Sequence, residues 1–177
     1  DKAALDAIAA RHGDVGDALA TFCRRRMVHN LVRTSPILTA VPADERAKLI
    51  ERFQTRLFQP GERLIEQGSN PSGLHLIASG GVSVAREDQG DTTVLAELGV
   101  GQVVGEVALV LRRPATAHVF AAVPTVTLHL AADQFLGVVK AHPELLAKLY
   151  ELAIQREEET RSIAGQEATE VGDDVLL

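Results

Sequence analysis

Apolar positions along this 177-residue chain change their spacing twice. From residue 1 to about Phe53 they recur at helical intervals. "DKAALDAIAARHGDVGDALATFCRRRMVHNLVRT" is rich in alanine and leucine and predicts helix, broken near Gly13 and Gly16. "SPILTAVPADERAKLIERF" follows, with Pro42 and acidic residues in a first turn and Leu49, Ile50 and Phe53 on one face. From about Gln54 to Ala131 the runs shorten and turn glycines intervene at Gly61, Gly68, Gly80, Gly90 and Gly99, the pattern of short antiparallel strands. In "GGVSVARE", Val82, Val84 and Arg86 alternate with Ser83, Ala85 and Glu87, which predicts a strand with one inward face. From Ala132 the helical spacing returns. "AADQFLGVVKA" predicts a short helix, and Pro143 opens another with Leu145, Leu149 and Leu152 on one stripe and Leu146, Tyr150 and Ala153 beside it. The apolar pattern stops at Ile154, where "QREEETRS" begins, and the tail "AGQEATEVGDDVLL" reads as acidic and frayed.

The expected fold is therefore mainly β with flanking helices: an antiparallel β-roll or jelly-roll sandwich with N-terminal helices and C-terminal helices. Its divisions are a helical segment at 1–34, the sandwich with its packing helices at 35–154, and a helix end with acidic tail at 155–177. An apolar content of 46% supports a real core. With 3% aromatics and no tryptophan, that core is built from Val, Leu, Ile and Ala.

Charge and cysteine content narrow the function. The net charge is −6, and the positive residues are scattered where a nucleic-acid binder masses them on one face. The single cysteine, Cys23, has no internal disulfide partner, which fits a reducing cytoplasm. The most apolar stretch, Leu95 to Leu111, is interrupted by Glu97, Glu106 and glycines and does not read as a membrane span. A chain opening on Asp1 is expected to be a piece of a longer one, so other domains of that protein, or a separate protein, are the expected partners.

Chemistry concentrates in "GVGQVVGEVALVLRRPATA", Gly99 to Ala117. Gly99, Gly101 and Gly105 invite a dinucleotide-fold reading, but that fold needs a long helix within a strand-helix-strand unit, and Pro114 allows barely two turns after Gly105. The better reading is one short helix between two strands of a β-roll. Gly105 would let backbone approach a ligand, and the helix start would offer N–H groups to an anion. Val107, Ala108 and Leu109 would form an apolar wall, and Glu106 would accept hydrogen bonds from sugar hydroxyls.

No catalytic or metal constellation stands beside it. The histidines, His12, His29, His75, His118, His129 and His142, lack metal-ligand spacing, and His118 and His129 read as half-buried strand residues. Cys23 reads as a packing residue, and Arg24, Arg25 and Arg26 as a solvated helix face.

These motifs, in this order, resemble the cyclic-nucleotide-binding domain of cAMP-dependent kinase regulatory subunits, gated channels and catabolite-activator-type regulators. The resemblance covers roughly Ser35 to Ile154: "SPILTAVPADERAKLIERF" as leading helices, "PGERLIEQG" as the first hairpin, "GLHLIASGGVSV" as the aliphatic strand segment, and "VVGEVALVLRRPATAHV" as the phosphate-binding cassette. It implies a non-catalytic regulatory module whose last helices close over the ligand, with Tyr150 or Leu152 as contacts. By position, Gly105 is the close-approach glycine and Glu106 takes the ribose 2′-hydroxyl. Val107 and Ala108 bring N–H groups to the phosphate, and Thr116 and Ala117 follow Pro114 in register; a threonine there goes with tolerance of guanine.

The family's phosphate-binding arginine falls at Ala115. A hydrogen bond to a charged group contributes about 1.5–3 kcal/mol, so its loss weakens binding about ten- to several-hundredfold. The cassette is thus degenerate, and cAMP or cGMP is expected to bind weakly. Arg113 is the candidate substitute. It precedes a proline, which holds it extended, and Arg112 and Arg113 are expected at the solvated, negative end of the helix. Two roles follow: an interaction module that has lost cyclic-nucleotide binding, or a sensor of a small ligand that makes less demand for phosphate recognition.

Overall fold

The computed structural model describes residues 13–173, so the helix expected over residues 1–12 lies outside the described residues. Gly16 does not break the first helix; it lies inside α1 (Gly13–Thr34). That helix is exposed along most of its described length and anchored at its end, where Leu31 is fully buried. Cys23, expected to pack, is exposed, as is Phe22 beside it. Arg25 and Arg26 face solvent, whereas Arg24 turns back, donating to the Phe53 carbonyl at 3.1 Å and to the Thr55 hydroxyl.

Pro36 opens the four-residue α2 (Pro36–Thr39). Pro42 does not open the next helix: its carbonyl accepts from the Glu45 and Arg46 N–H groups, and α3 begins at Arg46 (Arg46–Glu51). Ser35, between α1 and α2, is fully buried. Its hydroxyl donates to the Gly101 carbonyl at 2.8 Å, fixing the leading helices against a turn 66 residues away.

Two four-stranded antiparallel sheets follow. The first orders β1 (Gln54–Phe58), β8 (Thr125–Ala131), β3 (Gly73–Ser79) and β6 (Val103–Val104). The second orders β2 (Arg63–Ile65), β7 (His118–Ala121), β4 (Gly81–Asp88) and β5 (Asp91–Gly99). The first sheet is covered on both faces. Leu74, Leu76, Leu128 and Leu130 pack on Leu38, Leu49, Val138 and Leu149 of the helices, while Ile77 and Val104 meet Val82 and Val119 of the second sheet. The architecture is the expected antiparallel sandwich with flanking helices, arranged as helices, sheet, sheet.

The simple alternation read in β4 is interrupted. The pairing with β5 shifts between Val84 and Ala85, so the buried positions are Val82 and Ala85, three apart. At Gly80 the chain reverses with φ +81°, and a Cβ there would lie 2.4 Å from the Pro124 carbonyl oxygen, so only glycine fits. After α4 (Glu106–Val110) and the last strands come α5 (Ala132–Ala141) and α6 (Pro143–Asp173). The stripe Leu145, Leu149 and Ala153 is buried, and Leu146 and Tyr150 are exposed. Where the apolar stripe was read to end, at Ile154, α6 continues unbroken to Asp173. No helix among the described residues is long and apolar enough to cross a membrane.

One polar cluster lies inside the sandwich. His75 and His129 are paired across β3 and β8, both buried, with ring centroids 4.4 Å apart. His75 Nδ1 lies 3.0 Å from the Thr127 hydroxyl. Burial first, then the nearby His129 and Arg56, pushes the His75 pKa down from 6.5 to about 3. Burial and Arg56 also lower that of His129. Between about pH 6.5 and about pH 3 the unfolded chain binds protons that the folded one refuses, so stability is full above that window and falls with pH inside it. Each such histidine removes up to about 1.4 kcal/mol per pH unit. The urea midpoint should therefore drop from pH 7 to pH 5, and His75→Asn should flatten the drop.

Candidate functional site

The cassette begins with a constraint of the fold. Gly105 caps α4 with φ +92°, and a Cβ there would lie 2.5 Å from the Gly73 carbonyl oxygen. The structure shows a close approach of Gly105 to β3, for which glycine is required, and Gly105 also borders the cavity described below. The α4 helix then spans five residues, Glu106 to Val110, and turns Glu106 inward until it is 1% exposed.

Beyond Pro114, Ala115 is pinned by its backbone: its N–H donates to the Ser69 carbonyl at 2.9 Å and its carbonyl accepts from the Gly68 N–H at 2.8 Å. Its methyl group is part of a cavity wall. Gly105, Glu106, Val107, Ala108, Arg113, Ala115, Thr116 and Ala117 all border that cavity, whose volume is about 530 Å³. Thr116 is exposed at its edge, while Ala115 and Ala117 are buried. Val84, Leu95 and Leu98 of the second sheet supply apolar wall.

The opposite wall is α6. Leu152, Arg156, Glu157, Thr160 and Ile163 line the cavity; Tyr150 does not, and is 52% exposed. Arg156 Nη1 donates to Glu106 Oε1 at 2.5 Å and to the Val103 carbonyl at 2.7 Å. Burial raises the Glu106 pKa above its ordinary value, and the Arg156 guanidinium is the largest influence opposing that rise. Arg113 is not the solvated helix-end residue that was expected. Its main-chain N–H bonds the Ala108 carbonyl at 3.1 Å, and its guanidinium pairs with Glu157. Arg112 is exposed, with φ +52°.

His118 is half-buried in β7 away from the cavity, accepting from the Gln67 N–H at 3.1 Å. The site residues not read from the sequence are Arg156, Glu157 and Thr160. Their signal was present as the continuing face of one helix, since Leu149, Leu152, Arg156, Thr160 and Ile163 follow at intervals of three and four. A run of charges hid it.

Comparison with known proteins places this geometry. Residues 55–142 match the family described as "Cyclic nucleotide-binding domain". A curated relative, the cAMP-dependent protein kinase type II regulatory subunit of Drosophila melanogaster, is 40% identical over 103 residues, 58% of this chain and 27% of its own length. The chain thus spans about a quarter of that relative. Among solved structures, the Thermus thermophilus catabolite activator protein superposes with TM-score 0.67 at 27% identity, covering 76% of this chain and 63% of that one. The regulatory subunit of a cAMP-independent protein kinase A from Trypanosoma brucei, in a triple mutant bound to cAMP in its A site, gives TM-score 0.68 at 25% identity, covering 80% and 53%.

The Glu106–Arg156 pair carries a testable consequence. Removing one partner of a buried pair costs about 3 kcal/mol or more. In Arg156→Ala the Glu106 carboxyl, its pKa already raised by burial, loses its counter-charge. A folded-state pKa above the unfolded one means that stability is present at low pH and lost as pH rises. Arg156→Ala should therefore lower Tm more at pH 8 than at pH 5, and Arg156→Ala with Glu106→Gln should recover most of the loss.

Proposed function

Because this chain belongs, through residues 55–142, to the cyclic nucleotide-binding domain family, we propose that it is a non-catalytic regulatory module whose affinity for cAMP and cGMP is weakened, and that it acts through α6 on other domains of a longer cytoplasmic protein or on a protein partner. The observation that carries this reading is the wall position of Ala115. A cyclic phosphate brings one negative charge, and the family answers it with an arginine at that place. Here a methyl group stands there, and two guanidinium groups of the cavity wall, those of Arg113 and Arg156, are each bonded to a carboxylate.

The Drosophila relative is a regulatory subunit, which supports a regulatory role. The Trypanosoma brucei neighbour, from a cAMP-independent kinase, supports a fold retained without cAMP control. A second reading, a sensor of some other small ligand, is favoured by the size of the cavity and by a buried acceptor in its wall that lacks a partner, Glu106 Oε2.

Thermal unfolding tests the weakened affinity. A ligand at 100 times its Kd stabilises by about 2.7 kcal/mol, so at about 1 mM a micromolar ligand moves Tm visibly. The wild-type protein should move little with cAMP or cGMP. Ala115→Arg should gain about ten- to several-hundredfold in affinity and move clearly. Nanomolar cAMP binding by the wild type would overturn the reading.

A further inference from the structure

Charge is unevenly placed along this chain. From Thr21 to Thr34 there are four arginines and no acid, whereas from Glu157 to Asp174 there are seven acids and one arginine. The first stretch belongs to α1 and nearly all of the second to α6. The two faces of α1 differ. Met27, Val28 and Leu31 pack on the core, and Arg24 turns back to Phe53 and Thr55. On the opposite face Phe22, Arg26, His29 and Arg33 recur at intervals of four, three and four, which makes them one stripe, and all four are exposed. Arg26, His29 and Arg33 have no ion-pair partner among the described residues. Late in the chain the same intervals return with the opposite charge: Ile163, Glu167, Glu170 and Asp174, the last lying one residue past α6.

We propose that α1 of one protomer docks along the end of α6 in a second copy of this chain, the two helices running parallel. Arg26 then meets Glu167, His29 meets Glu170, Arg33 meets Asp174, and Phe22 meets the half-buried Ile163. An antiparallel pairing would set Phe22 against Asp174 and Arg33 against Ile163, so charge fixes the direction. The contact is made twice, each protomer giving its α1 and receiving on its α6, which closes a two-fold dimer. Each contact runs about 17 Å at 1.5 Å per residue, short enough that the dimer is weak and salt-dependent. Other anionic surfaces fit this face less well. A lipid surface needs an apolar face, and α1 has committed its own to the core, leaving Phe22 alone. A nucleic acid would be repelled by a chain of net charge −6. The pairing is independent of what the cavity binds.

Sedimentation equilibrium of the whole chain tests this. At about 200 μM protein and about 50 mM salt, a concentration-dependent dimer is expected, weakened about tenfold or more at about 500 mM salt. Arg26→Glu with Arg33→Glu should leave monomer, and so, separately, should Glu167→Lys with Glu170→Lys. The Tm of each variant, measured alongside, should stay near that of the wild type. Mixed in equal amounts, the two charge-reversed proteins should form a heterodimer at about wild-type affinity, because each reversed helix then faces its complement. A chain that stays monomeric at low salt would overturn the proposal, and retention of that monomer on anionic vesicles would assign the face to lipid instead. A dimer indifferent to salt and to both reversals, or a mixture that fails to pair, would overturn it equally.

Discussion

A carboxylate 1% exposed to water cannot hold its charge without a cation, and at Glu106 that cation comes from 50 residues further along the chain. Buried pairs of this kind add little net stability compared with an apolar replacement, but they are intolerant of misalignment. The Glu106–Arg156 contact therefore fixes where α6 lies. The same Arg156 nitrogen bonds the Val103 carbonyl, so the short strand before the cassette, the cassette helix and the long helix meet on one guanidinium. Gly105 supplies the matching constraint from beneath, because its contact with the Gly73 carbonyl leaves no room for a side chain.

Position 115 gains its meaning from that arrangement. In an otherwise neutral cavity, a missing arginine would be one lost hydrogen-bonding group. Here the guanidinium groups of Arg113 and Arg156 already serve carboxylates, so neither can be reassigned without exposing a new charge imbalance. On the proposed reading, the methyl group at Ala115 and the pairing across α6 act in the same direction, away from anions.

Much of this was legible from the residues. Turn glycines and short apolar runs predicted the sandwich, and eight of the cassette residues read from "GEVALVLRRPATA" border one cavity, whereas Leu109, expected in its apolar wall, packs against the core. What hydropathy did not show was polar and long-range. Arg156 and Glu157 look like the solvated end of a helix because periodicity counts apolar positions, while their partners are charges distant in sequence. The local backbone around Arg113 carries no sign of its partner, which lies 44 residues away. The β4 irregularity at Val84 and Ala85 was hidden because a sequence pattern does not record an extra residue in a ladder. Cys23 failed for a simpler reason: α1 presents that face to water.

The unbroken course of α6 from Pro143 to Asp173 has a mechanical result. Its first turns are wedged in the core through Leu145 and Leu149, and its middle crosses the cavity. The residues beyond Arg156 extend about 25 Å further at 1.5 Å per residue. Pivoting about the wedged turns, a tilt of about 5° would sweep the far end through more than 2 Å, so any small displacement at the cavity wall would be amplified at the helix end.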